Sequence, residues 1–347
     1  MLDYTNCFIN QISVHQVGNK TNEEDLHLSK TPLDNSDNIL KELLLQYFLK
    51  PFAEPEFFSF TFSNEDVKMN AVYNYASQIF DAPSSFHINS INVAKHLYEL
   101  STHPQIKSGD LFVVHFSDVV IEDELVEMIG IFKSENRHPF LKLDVESGEF
   151  TLNYDDGISV DKLDKGCLIF NKEKELGYRV CIVDKANKSE AQFWKENFLQ
   201  LTPCSDDYHY TKDFLSLTKT YVTKQLAQDF EVTKADEIDL LNRTVEYFKT
   251  HEQFDKTEFQ SEVFQTDELI ESFQQFDESY RTINEVEETD NFEISTQAVK
   301  KQAKGFKSVL KLDKNFHIYI HGDTSLIEKG EEADGQKFYK IYFDKEI

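Results

Sequence analysis

The order of apolar and polar positions changes period several times along the chain. From Phe8 to Val17 apolar and polar residues alternate through Ile12, Val14 and His15, and after the polar turn 18–22 a second extended segment covers 25–29. Alternation with a period of two buries one face of a strand, so this pair predicts an antiparallel hairpin. The period then lengthens. Ile39, Leu40, Leu43, Leu44 and Phe48 form one stripe of a helix that Asn35 or Ser36 would cap and that must end before Pro51. Two further amphipathic helices are predicted over 69–80 and, capped by Ser90, over 91–100.

Short apolar runs return at 111–114, 128–132, 140–143, 150–154, 167–170 and 178–183, punctuated by Gly109, Gly148, Gly157 and Gly166. They fit an antiparallel meander. Helical periodicity dominates 213–230, 234–250 and 266–276, and three strand-like runs at 309–312, 316–320 and 338–343 close the chain. The predicted class is α+β: an N-terminal mixed or antiparallel sheet with helices, then a helical region and a short C-terminal antiparallel sheet. With 347 residues there is chain enough for two cores, placed at 1–188 and 189–347.

Charge narrows the function. A formal net charge of −27 repels phosphate and draws basic partners over distances set by salt screening. Wrapping duplex DNA over the whole surface is excluded, and only a local basic patch could touch nucleic acid. Between Glu252 and Glu293 fourteen acidic residues face only Lys256 and Arg281. Lys300, Lys301, Lys304, Lys307 and Lys311 follow in a stretch, 294–312, without any acid. If that stretch is helical, Lys300, Lys304, Lys307 and Lys311 line up with four-three-four spacing and could grip successive phosphates. Gly305 and the Val309-Leu310 pair argue instead for a strand before Lys311, and pairing of the lysines with the acidic segment is the bland alternative. Only four arginines occur (Arg137, Arg179, Arg243, Arg281), too few for reading bases through arginine forks.

Covalent chemistry finds no foothold. The chain has no phosphate-binding glycine loop, no HExxH and no nucleophile elbow. Asp155-Asp156 and Asp206-Asp207 read as turn carboxylates rather than a metal site. His317 and His321 share one face of a strand but stand about 13 Å apart, too far for one ion. The four cysteines include no CxxC pair, and the first three lie in apolar runs, as reduced buried thiols do. No catalytic residue, metal or cofactor is expected. The N-terminus lacks a signal-like pattern and no apolar run approaches about 18 residues, so a cytoplasmic protein without a membrane span is expected.

Several stretches, taken in order, resemble one family. They are Ile12-Ser13-Val14-His15-Gln16-Val17-Gly18-Asn19-Lys20, Ala94-Lys95-His96-Leu97-Tyr98 with Ile106-Lys107-Ser108-Gly109, Gly130-Ile131-Phe132-Lys133-Ser134-Glu135, Phe193-Trp194, and Val309-Leu310-Lys311-Leu312-Asp313. The set is similar to the bacterial 37-kilodalton nucleoid-associated proteins, the NdpA-like class. The resemblance implies a cytoplasmic protein at the bacterial chromosome that binds DNA or the proteins handling it, and it offers no catalytic residues to carry over. The leading expectation is therefore a non-catalytic nucleoid protein touching DNA non-specifically through Lys300, Lys301, Lys304, Lys307 and Lys311, helped by Lys133 and Arg137. The alternative is an acidic adaptor or DNA mimic that docks on basic surfaces of DNA-processing enzymes. Exposed strands and amphipathic helices leave a homodimer open.

Overall fold

In the computed structural model all residues are described except Met1, Glu54, 64–65, 147, 186–191, 285, 287–288, 307–308, 313, 320–325, 333, 344 and 346–347, and the side chains of Glu146 and Lys311. Contacts divide the chain into two units, Met1–Cys204 and Ser205–Ile347.

In the first unit the opening alternation forms the predicted hairpin. After β1 (Leu2–Asp3), β2 (Phe8–Val17) turns through Asn19, whose side chain accepts from the Thr21 and Asn22 N–H groups, into β3 (Leu26–His27), with Val17 opposite Leu26. The strands β4 (Phe57–Phe60), β5 (Gly109–Ile121), β6 (Glu124–Ser134), β9 (Lys165–Phe170), β10 (Arg179–Asp184) and β11 (Leu201–Pro203) complete a sheet of order β11-β4-β10-β9-β6-β5-β2-β3, with β1 also on β5. All of these pairings are antiparallel, which together with the helices makes the fold α+β. Between β6 and β9 the chain leaves the sheet as a separate hairpin, β7 (His138–Glu146) with β8 (Glu149–Gly157).

The sheet is covered on both faces. Leu111, Val113, Ile129, Ile131, Cys167 and Ile169 cluster with residues of α2 (Ala71–Asp81), α3 (Phe86–Leu100) and the π-helical turn Phe193–Leu199. Phe112, Phe116, Met128, Phe132, Leu168 and Phe170 pack on the end of α1 (Asn38–Leu49) and on Phe52. Two covered faces explain why runs such as Cys167-Leu168-Ile169-Phe170 are apolar throughout, a pattern more usual in parallel sheets. Cys7, Cys167 and Cys181 are buried, Cys204 is half-buried, and none is in a disulfide.

Four details differ from the sequence reading. Asp37, not Asn35 or Ser36, caps α1 by accepting from the Ile39 and Leu40 N–H groups. Of the predicted stripe, Phe48 is buried and Leu44 partly so, whereas Ile39, Leu40 and Leu43 are exposed, because only the last turns reach the sheet. Helix α3 begins at Phe86, so Ser90 is an interior residue donating to the His87 carbonyl. Residues 193–203, assigned by sequence to the second domain, belong to the first unit: Trp194 and Phe198 join its core and β11 pairs with β4, so the division falls after Cys204 rather than at 188.

The second unit is helical. Helix α4 (Asp207–Thr220) continues through a π turn, Tyr221–Gln225, into α5 (Leu226–Asp229). It is followed by α6 (Lys234–Thr250), opened by a Thr233/Asp236 capping box, then α7 (Lys256–Val263), α8 (Asp267–Asn284) and α9 (Thr296–Ala303). Phe214, Phe248, Phe254, Phe259, Phe273 and Tyr221 build its core. The ribbon β12 (Gln253–Asp255) with β13 (Asn291–Glu293) ties the helical chain together. The expected terminal sheet forms as two ribbons, β14 (Val309–Leu312) with β15 (Phe316–Tyr319) and β16 (Ile327–Glu331) with β17 (Lys337–Ile341). Strand β16 was not foreseen, because Ile327-Glu328-Lys329-Gly330-Glu331 is mostly charged and carries a glycine.

Candidate functional site

Lys300 and Lys301 stand in the last turn of α9, whose N-terminus Ser295 caps by accepting from the Ala298 N–H. Lys304 is the C-cap. Cations at this end lie among the carbonyls left without helical partners, where the helix dipole favours them. Lys300 and Lys304 are exposed, and the Lys301 ammonium lies 5.4 Å from the Tyr208 ring centroid. The chain leaves the helix at Gly305, buries Phe306 and resumes as a strand at Val309, so Lys300 and Lys311 do not share one helical stripe. Lys311 sits on β14 opposite His317, and Lys307 lies outside the described residues. Lys219, at the end of α4, brings its ammonium to 5.6 Å from the Phe306 ring and so joins the cluster. Its separation in sequence hid it.

The two cations expected to help from the first unit are engaged locally. Lys133 is 1% exposed; it donates to the Lys107 carbonyl and to Glu135 (3.0 Å), itself buried. Lys165, equally buried, bonds Glu135 (3.2 Å) and Asp184 (3.4 Å). The expectation that Lys133 offers charge to a phosphate is thereby corrected: its position in a strand covered on both faces turns the ammonium inward. Arg137 is half-exposed and pairs with Asp110.

The acidic segment is arranged differently. Asp277, buried in α8, pairs with Lys256 (2.8 Å) and with Arg281, the two cations of the 252–293 stretch. Lys256 also reaches Asp290 (3.5 Å). Ten of the eleven described carboxylates in that stretch, all but Asp277, are exposed. Two open polar clefts lie among them. One, of about 500 Å³, is lined by Asp229, Glu268, Glu271 and Ser272; the other, of about 350 Å³, by Asp255, Lys256, Glu278 and Asp290. The first adjoins the π turn, a distortion often found at working sites. There the Tyr221 hydroxyl meets the Ser272 hydroxyl (3.0 Å), which donates to Asp229 (2.8 Å).

One cluster of metal-ligand type escaped the sequence reading. Donor atoms of His251, Glu258 and Glu262 lie within 4.8 Å of one another, drawn from the end of α6 and two successive turns of α7. The His251 Nδ1 faces the Tyr247 carbonyl at 3.0 Å and so carries a proton, leaving Nε2 toward Glu262. Both glutamates are exposed. An imidazole with two carboxylates is a donor set that first-row divalent ions accept. The carboxylates noted in sequence have local roles: Asp155 pairs with Lys142 across the β7–β8 hairpin (3.0 Å), and Asp206 caps α4 by accepting from the His209 N–H. His317 lies on β15, and His321 is outside the described residues.

Fold and surface together define an acidic α+β protein of two units, the second of which carries a run of exposed carboxylates over 252–293. The chain matches the family model described as nucleoid-associated protein YejK over residues 13–337, nearly its whole length, and it belongs to that family. The resemblance seen in the sequence is to these same proteins. No curated protein matches the chain. The family is named for the nucleoid, and no described helix is long and apolar enough to cross a membrane.

Proposed function

We propose that this nucleoid-associated protein works as a non-catalytic adaptor in the bacterial cytoplasm, its acidic second unit docking on basic surfaces of proteins that handle the chromosome. The observation that carries this reading is the pairing of Lys256 and Arg281 with buried Asp277, which leaves ten exposed carboxylates, five of them lining two polar clefts. Clefts of this size and charge suit inserted lysine or arginine side chains, and charge complementarity speeds encounter and sets register. A Lys/Arg-rich peptide titrated against the full chain tests it. The double change Glu268→Lys, Glu271→Lys should weaken binding by about tenfold or more and flatten its salt dependence; equal affinities of variant and parent would end the proposal.

The second reading, direct non-specific DNA contact, is favoured by exposed Lys300 and Lys304 at the end of α9, with Lys301 and Lys219 nearby. Lys133 is left out because it is buried. So few cations give a weak, salt-sensitive grip. Gel shifts at low salt should weaken on Lys300→Glu, Lys304→Glu, and the absence of any shift at low salt would make contact with the chromosome indirect.

A further inference from the structure

Antiparallel pairing puts directly opposed residues on the same face of a ladder. In the β7–β8 hairpin the pairs Leu141–Tyr154, Leu143–Leu152 and Val145–Phe150 therefore share one face, and Lys142–Asn153 and Asp144–Thr151 share the other. The polar face is closed by Lys142 with Asp155 and by the Lys142 ammonium over Phe140. No described residue covers the three apolar pairs: their six side chains are 60–75% exposed. An isolated two-stranded ribbon is marginal in water, and contiguous apolar patches of this extent on a soluble chain mark an interaction surface.

We propose that this face is a dimer interface, occupied by the same face of a second copy of the chain related by a twofold axis. Charge argues for that occupant. Two copies of a chain with net charge −27 repel through most of their surface, whereas these three apolar pairs contain no residue charged at neutral pH, and Asp156, opposite Pro139 at the base, is the one carboxylate on their face of the ladder. A basic partner would be drawn to the carboxylates instead. Area agrees: six such side chains at this exposure present on the order of 700 Å² of surface, close to the roughly 800 Å² per partner of a standard interface.

Geometry agrees as well. With the axis through the central Leu143–Leu152 pair, the narrow end at Val145 of one copy meets the Leu141–Tyr154 end of the other, and two twisted ribbons stack about 10 Å apart as sheets in a sandwich do. Nine residues per strand make an arm about 30 Å long, and its Asp144, Glu149 and Asp155 lie on the face opposite the apolar pairs. The base is firm. Glu135 and Asn136, just before β7, donate their N–H groups to Asp164, which precedes β9, and Glu135 bonds buried Lys133 and Lys165.

Sedimentation equilibrium of the full chain at micromolar concentration, in physiological and in molar salt, tests the proposal. The expected result is a dimer that holds or tightens as salt rises, since salt screens repulsion without weakening apolar contact. Leu143→Asp and Phe150→Asp should each raise the dissociation constant by about 100-fold or more. Both residues are exposed in the single chain, so circular dichroism and melting of the variants should match the parent, separating lost association from lost fold. A monomeric parent overturns the proposal, and so does a dimer that survives both changes. Association through the second unit's carboxylates would instead fail in molar salt while ignoring both substitutions.

Discussion

His15 shows how a polar position in an alternating strand can be part of the core. Its side chain is 2% exposed, because α3 covers the face of β2 that the alternation leaves polar. The Ser29 N–H donates to Nδ1 (3.2 Å), so the ring proton is on Nε2 and is donated to Ser90 (3.0 Å), whose hydroxyl passes the chain on to the His87 carbonyl. Protonating Nδ1 would set two donors against each other. Burial, with His87 beside it, lowers the pKa from 6.5 to about 4. A base whose folded value is depressed stays neutral in the native state while the unfolded chain takes up its proton. The stability it contributes is complete above pH 6.5 and is lost as pH falls toward 4, on the order of 3 kcal/mol in all. Melting of the protein should thus drop between pH 7 and 4.5, and His15→Gln should flatten that slope; an unchanged slope would rule His15 out as the source. Sequence alone identified the strand, but could not show that its polar face would also be covered.

At the scale of elements, period was the readable signal and partnership was not. Helix α6 was read at its observed limits, 234–250, because its cap and its stripe agree. Helix α1 was foreseen, yet Ile39, Leu40 and Leu43 are exposed, since amphipathicity does not say how far a neighbouring sheet extends. The runs at 140–143 and 150–154 were read as strands of the meander, but they leave the sheet as an arm, and β6 pairs with β9 across the insertion. That pairing is non-local, and no local pattern encodes it. Gly130 marks how tight the result is. A Cβ there would lie 2.3 Å from the Phe132 ring and 2.9 Å from Phe116, and Phe132 is itself stacked on Phe48 at 4.2 Å. Gly130→Val should cost about 2–3 kcal/mol by overpacking. Urea unfolding should show a lower midpoint with an unaltered slope; a midpoint equal to the parent's would mean that the rings yield freely.

For the molecule as a whole, net charge was legible from composition, and it constrained function more than any motif did. The acidic stretch was read directly, and so were the lysines of α9. What sequence could not supply was the state of each charge: that Asp277 would engage Lys256 and Arg281, that Lys133 would be buried beside Glu135, or that Lys219 would return to α9 from far along the chain. Each depends on which surfaces face inward, which follows from packing. Self-repulsion among the exposed carboxylates destabilises the compact state, so moving from low to moderate sodium chloride should raise the melting temperature. A flat response would show that the carboxylates lie too far apart to strain the fold.

The placement of the thiols carries a practical consequence. Burial holds the Cys7 thiol up at about 12 and pushes that of Cys167 upward too, so neither offers a thiolate near neutrality, and Cys181 is enclosed beside them in the sheet. Half-buried Cys204 is the most exposed of the four, and the one an alkylating reagent should reach first. A maleimide dye would meet a single address, giving this chain a built-in attachment point for fluorescence with no engineered residue.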